Sequence, residues 1–174
     1  MLYCCQNPRK KEQIFMQQKS LSFWLKMIVI GVGLCGLVAY FFILPTLGKA
    51  IVAQYPEFSD RYWPWLIFLW STSIPCYAAL VYSWLIAREI GRDNSFSYRN
   101  ARYLTRIAAL AAVDTIYLFW GDMIFFIMGL SHPSVVLCLL FVVFAGIAVT
   151  VLAAALSHLV WKAARLREEN ELTI

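Results

Sequence analysis

The sequence predicts an all-α, polytopic membrane protein: four transmembrane helices in an up-down bundle, with both termini in the cytoplasm. Three observations carry that prediction. Hydrophobic residues make up 61% of the 174 and charged residues only 14%, against roughly 45–50% and 25% in soluble domains. A chain so apolar has too little polar surface to cover a water-facing globule. The apolar residues also gather into four runs, each long enough to cross a hydrocarbon core of about 30 Å at 1.5 Å per residue. Finally, thirteen of the fifteen Lys and Arg residues lie before or in the first turn of the first run, between the second and third, or after the fourth. Basic residues stay on the cytoplasmic side, so the N-terminus, residues 88–106 and the C-terminus are expected there. The net charge of +5 then reads as topology, and no direct nucleic-acid binding is expected.

Residues 1–22 form a basic cytoplasmic segment. A positive start before an apolar run resembles a signal peptide, but the run is too long, and Leu44, Pro45 and Thr46 do not make a small-x-small cleavage site. The first span is placed at 23–44, with Pro45 marking its exit. Inside it Gly31, Gly33 and Gly36 spell G-x-G-x-x-G. No strand or βαβ unit surrounds them, so they read as helix-packing glycines and not as a dinucleotide site. Residues 46–62 are expected to loop, with a short interfacial helix at 47–54 and aromatic residues Tyr55, Tyr62, Trp63 and Trp65 at headgroup depth.

The second span, 63–87, contains Pro75 preceded by Ser71, Thr72 and Ser73. Hydroxyls one turn before a proline are expected to satisfy the carbonyls it frees. The third span covers 107–130 and the fourth 135–161, joined by a tight turn in which Pro133 suits the first turn of a helix. A charged cytoplasmic tail, 162–174, continues as helix and then frays. The transmembrane domain is therefore 23–161.

Asp114 and Asp122 are the acids at membrane depth. A charge there costs at least about 2.5–3.5 kcal/mol on insertion scales, so each needs a proton, a partner or a polar cavity. They stand eight residues apart, about 12 Å along a helix and about 80° around it, too far to share a proton. Ser71, Thr72 and Ser73 are expected to face Asp122, and Tyr77 or Thr150 to approach Asp114. Interhelical hydrogen bonding is the plain reading; a proton or cation path is the other. The five cysteines include no C-x-x-C, and no Ser or Cys has a His at recognisable spacing. No enzymatic activity, metal site or cofactor is therefore expected.

The polar interval 88–106 is the longest in the interior of the chain. Ser95 or Ser97 can cap the third helix, and Phe96, Ala101 and Leu104 make an apolar stripe beside Arg99, Arg102 and Arg106. That stripe suits either a helix lying in the headgroups or a docking face. In the phrase running from Ser95 to Ile107, and in the ending Glu168, Glu169, Asn170, Glu171, Leu172, Thr173, Ile174, the chain resembles bacterial four-span membrane proteins grouped as domain of unknown function 2975, the YoaS-like proteins. The similarity is expected over residues 23–174. It implies an inner-membrane protein encoded beside a small helix-turn-helix regulator, and it attaches no catalytic residues. The docking residues expected from both readings are Phe96, Arg99, Asn100, Arg102, Glu168, Glu169, Leu172 and Ile174, with the three arginines 99, 102 and 106 set near the tail's acids. The partners are then the lipid bilayer and that regulator; a homo-oligomer is compatible with the sequence. The contrasting reading is a small transporter or channel component using Asp114 and Asp122.

Overall fold

Four long helices lie side by side in a row. The computed structural model describes residues 8–92 and 96–172. Its elements are α1 (Pro8–Val38), a π-helical turn (Ala39–Ile43), α2 (Leu44–Gln54), a 3₁₀ turn (Pro56–Arg61), α3 (Tyr62–Ile90), α4 (Tyr98–Ile127) and α5 (Pro133–Leu172). Four stretches are long and apolar enough to cross a membrane: Lys19–Gln54, Ser59–Ile90, Tyr98–Ile127 and Pro133–Asn170. The helices overrun the apolar runs because Lys, Arg, Glu and Gln are good helix formers, so helix continues where hydrophobicity stops. At 40 residues, α5 is about 60 Å long, twice the hydrocarbon thickness.

Pro45 does not end the first helix as expected; residues 46–54 continue it. The π-helical turn is what lets the chain pass. Leu44 N–H donates to the Ala39 carbonyl five residues back. In that register the Tyr40 carbonyl would be served by residue 45, and proline has no N–H to give. Trp70 of α3 takes the place, its indole Nε1 donating to Tyr40 O at 2.9 Å. The consequence is a pin between α1 and α3 at membrane depth.

Helix α3 runs through Pro75 unbroken. The hydroxyls of Ser71, Thr72 and Ser73 donate to the carbonyls of Phe68, Leu69 and Trp70 at 2.6, 2.7 and 2.6 Å. These lie one to three residues before Ser71, whose carbonyl Pro75 leaves without a donor, because side chains in a helix lean toward its N-terminus and reach only carbonyls behind them.

Small residues set the spacing of the row. A Cβ at Gly146 of α5 would run into the Thr115 side chain of α4, and one at Gly121 of α4 into the Phe68 ring of α3. Ala101, Ala153 and Ala164 are buried in the same seams. On α1, a Cβ at Gly33 would lie 3.8 Å from Leu80 and one at Gly36 3.1 Å from the Tyr77 hydroxyl, while Gly31 faces open space. Two of the three glycines in the G-x-G-x-x-G string are thus packing positions. The core itself is Phe68, Leu69, Leu118 and Val143, ringed by Trp65, Phe125 and Leu139. The bundle is not closed. Among the described residues, no Cα of α1 lies within 8 Å of α4 or α5, and none of α3 within 8 Å of α5.

The α4–α5 turn closes by paired capping bonds. Leu130 N–H donates to Phe125 O at 2.8 Å and Gly129 N–H to Phe126 O at 2.9 Å, with Gly129 at φ 64°. This left-handed position favours glycine. His132 then begins α5: its Nδ1 accepts from Ser134 N–H at 3.3 Å, ahead of Pro133 in the first turn.

Candidate functional site

At one end of the row lie the start of α4, the ends of α3 and α5, and Ser22 of α1, whose hydroxyl donates to Ala87 O at 2.7 Å. Ser97 is in extended conformation, and its side chain accepts from Asn100 N–H at 3.3 Å. That cap starts α4 at Tyr98, nine residues before the expected boundary, so the arginine-rich stretch is the first turns of a spanning helix. Ser95 lies outside the described residues.

Helical geometry then divides the side chains. Tyr98, Ala101 and Thr105, spaced by three and seven, share a face toward α5. Tyr98 OH donates to Glu168 Oε2 at 2.9 Å, and its ring meets Trp161 edge-on with centroids 4.8 Å apart. Thr105 Oγ1 lies 2.7 Å from Ser157 Oγ, which donates to Ala101 O at 2.9 Å. Arg99, Arg102 and Arg106 sit one residue on, about 100° around the helix, on the side of α3. Arg99 pairs with Glu89 of α3 at 3.3 Å, and the Arg106 guanidinium lies over the Tyr82 ring at 5.5 Å. Arg102 is exposed.

The expected pairing of these arginines with the tail is therefore replaced by Tyr98 to Glu168, while Glu169 pairs with Arg165 at 3.0 Å one turn back on its own helix. Of the other docking residues, Phe96 is 56% exposed whereas Asn100 is 2% exposed, so Asn100 faces inward and presents nothing to a partner. Leu172 closes α5, and Ile174 lies outside the described residues. Neither Tyr98 nor Trp161 is among the docking residues expected from the sequence. The available signal was that Trp161 and Glu168, seven apart, share one helix face.

Within the spans a second polar group forms. Cys76 Sγ donates to Asp114 Oδ2 at 3.8 Å and lies 4.0 Å from Tyr40 OH, which is 3.0 Å from Thr72 Oγ1. A chain of weak contacts thus links the π-helical turn, α3 and α4. Tyr77 and Thr150 do not take part: they donate to Gly33 O at 3.0 Å and Gly146 O at 2.8 Å.

Asp122 is 1% exposed, and neither of its carboxyl oxygens has a hydrogen-bond partner among the described residues. The hydroxyls expected to serve it lie elsewhere. Ser71 Oγ is 2.8 Å from Tyr117 OH, and Tyr117 stands about 140° around α4 from Asp122. An unsatisfied buried polar group costs about 1–3 kcal/mol, so Asp122 is not explained by stability. Among the described residues, no cluster of three or more His, Cys, Asp or Glu could hold a metal ion.

The family described as "Protein of unknown function (DUF2975)" matches residues 46–174, and the chain belongs to that family. It is similar to "Uncharacterized membrane protein YoaS" of Bacillus subtilis (strain 168), with 26% identity over 155 residues that cover 88% of this chain and 97% of that protein. No solved structure matches. With four spanning helices, the chain is a multi-pass bacterial membrane protein. The family model matches from Thr46 onward, while the similarity to the Bacillus protein, covering 88% of the chain, also takes in the apolar part of α1, in keeping with the expected extent.

Proposed function

We propose that this DUF2975 protein is a membrane anchor or inhibitor for a small cytoplasmic helix-turn-helix regulator, held at the basic end of the row. The observation that carries the reading is the end of α5. This helix is about twice as long as the hydrocarbon is thick, so one end of it stands in water. That end is set in direction by Tyr98, which grips Glu168 and Trp161 together. Between the two gripped residues Leu166 is 54% exposed, and Phe96 is 56% exposed at the foot of α4. Arg165, Arg167 and Glu169 on the same helical end are exposed as well. Apolar contacts framed by charge suit a protein partner, with rim charges governing encounter and register. The regulator itself is the neighbour implied by the family resemblance. The test is a pull-down of the tagged regulator encoded beside the gene. The full-length chain should retain it; a chain lacking residues 170–174 should release it while its spans stay folded, since they satisfy their own backbone groups. Equal retention by both chains would remove the tail from the interaction.

A second reading, a small transporter or channel component, is favoured by one feature: the buried and unpartnered Asp122 carboxyl. Ionisable residues at such depth commonly mark ion or proton paths. Ion flux into proteoliposomes that disappears in Asp122→Asn would favour it over the anchor.

A further inference from the structure

The end of α3 and the start of α4 meet at the basic end of the row, and both carry arginine there. We propose that the side of the row on which Arg88, Arg102 and Arg106 emerge binds one anionic phospholipid of the adjoining leaflet, its phosphate on the arginines and its acyl chains along the α3–α4 seam. This goes beyond the anchor reading and does not depend on it.

The placement follows from helix geometry. Residues seven apart lie nearly in line along a helix. On α3 one such line is Ile67, Ile74, Val81 and Arg88, all exposed. On α4 Arg102 heads the line of Ala109 and Ile116, and Arg106 that of Val113 and Trp120, again all exposed. Tyr82 of α3 and Tyr103 of α4 meet across the seam with ring centroids 5.9 Å apart. Seen from the basic end, successive residues turn counterclockwise along α3, which runs toward the viewer, and clockwise along α4, which runs away. Arg88 lies about 240° past Tyr82, Arg102 about 100° before Tyr103, and Arg106 about 300° past it. All three therefore emerge on the same side of the row.

Arg106 is held in place there. Its guanidinium lies over the Tyr82 ring at 5.5 Å, and its Nη1 donates to the Tyr82 hydroxyl at 3.4 Å. Arg102 stands one turn away on the same helix. Arg99 is matched by Glu89, so the other three arginines set the charge of this side. Guanidinium forks fit phosphate oxygens, and the bonds are charge-assisted. Basic residues at the membrane surface attract anionic lipids, whereas a zwitterionic head brings a cation of its own into the cluster. Deeper along the seam the surface is apolar. A groove there is lined by Phe68 of α3 and by Val113, Ile116, Trp120 and Gly121 of α4. A Cβ at Gly121 would run into the Phe68 ring, so the missing side chain is what lets that ring sit in the seam. Val113 lies about 10 Å from Arg106 along the helix and Trp120 about 21 Å. One leaflet's hydrocarbon is about 15 Å deep, so chains from a head on the arginines reach into the groove. Cations at one end and an apolar groove along the rest complement an anionic phospholipid.

The experiment is native mass spectrometry of the purified full-length protein, released from detergent after equilibration with equal amounts of phosphatidylglycerol and phosphatidylcholine bearing the same chains. The quantity read is the ratio of the two singly bound forms. The native chain should favour phosphatidylglycerol about fivefold or more, the factor that one basic residue near an anionic lipid supplies. Arg102→Gln together with Arg106→Gln should bring the ratio near one. Arg102→Glu alone, which leaves the contact of Arg106 with Tyr82 in place, should lower it severalfold. Lys162→Gln together with Arg165→Gln removes two charges from the same end, but on α5, and should leave the ratio unchanged. Glycerol phosphate, the head without its chains, should not displace the lipid at equal concentration. A native ratio near one, a preference that survives the double arginine variant, or an equal fall in the α5 variant would overturn the proposal. Displacement by glycerol phosphate would overturn it as well, by assigning the arginines to a soluble anion.

Discussion

The seam between α4 and α5 and the seam between α1 and α3 hold helices together in different ways. The first rests on close approach, Gly146 seating Thr115 and Ala101, Ala153 and Ala164 buried along it, with hydrogen bonds added at its basic end, where Tyr98 meets Glu168 and Ser157 meets Thr105 and Ala101 O. The second is made of points. Ser22 reaches Ala87 O, Tyr77 reaches Gly33 O, Trp70 reaches Tyr40 O and Tyr40 meets Thr72. Among the described residues, the most apolar stretch of the first span buries none of its residues, and α1 touches α3 alone among the other spanning helices. In lipid there is little hydrophobic drive between helices, so close packing and interhelical hydrogen bonds do the joining. The three-helix α3–α4–α5 unit uses mainly the first device, and α1 is attached to it mainly by the second.

The largest expected effect breaks the tight seam. Gly146→Leu forces side-chain carbon into Thr115, and overpacking of this kind costs about 1–3 kcal/mol. Gly31→Leu adds the same side chain to α1 where nothing lies within 4 Å, and should leave stability unchanged. Unfolding of both variants in one lipid or detergent system checks the contrast. Equal losses would mean that α1 is packed as tightly as α5.

A smaller effect of opposite sign is expected at Asp122. It lies seven residues from Thr115 and four from Leu118, on the packed face of α4, with both oxygens unpartnered. Replacing an unsatisfied buried polar group with an apolar one of similar size is near neutral or stabilising. Asp122→Leu is therefore expected to stabilise the three-helix unit by about 1 kcal/mol, where a partner among Ser71, Thr72 and Ser73 would have made the same change a loss. A measured loss would show that the carboxyl has a partner after all.

How much of this was legible in the sequence follows from what each device leaves in the residue pattern. Four spans, the cap at Ser97 and the packing roles of Gly33 and Gly36 could be read, because hydropathy, capping chemistry and small residues act locally. The continuity through Pro45 could not. A proline reads as a break unless a wider turn precedes it and a distant indole serves the orphaned carbonyl. The same limit hid Tyr98, whose partners lie 63 and 70 residues away. The arginines were misdirected for a simpler reason: periodicity groups them on one face of the helix but does not say that this face meets α3 while the face of Tyr98 meets α5.

The smallest effect tests a single point of the α1–α3 seam. Trp70→Phe keeps most of the ring but removes the indole N–H, leaving the Tyr40 carbonyl unserved. Interhelical hydrogen bonds in membranes average about 0.6 kcal/mol and reach about 1.7, so the loss should fall in that range. The cause can be separated from the lost ring volume. The carbonyl lacks a partner within its own helix because residue 45 is proline, and Pro45→Ala supplies the missing N–H. In that background the Tyr40 carbonyl is satisfied within the helix whether the turn stays π-helical or relaxes to α. The hydrogen-bond part of the Trp70→Phe loss should then vanish, and only the packing part should remain. A double-mutant cycle on unfolding free energy measures the difference. Coupling near zero would mean that Trp70 holds α1 by its bulk, against Phe41 at 5.9 Å, and that the seam is packed after all; coupling of about 0.6 kcal/mol or more would establish that α1 is pinned at the turn its own proline creates.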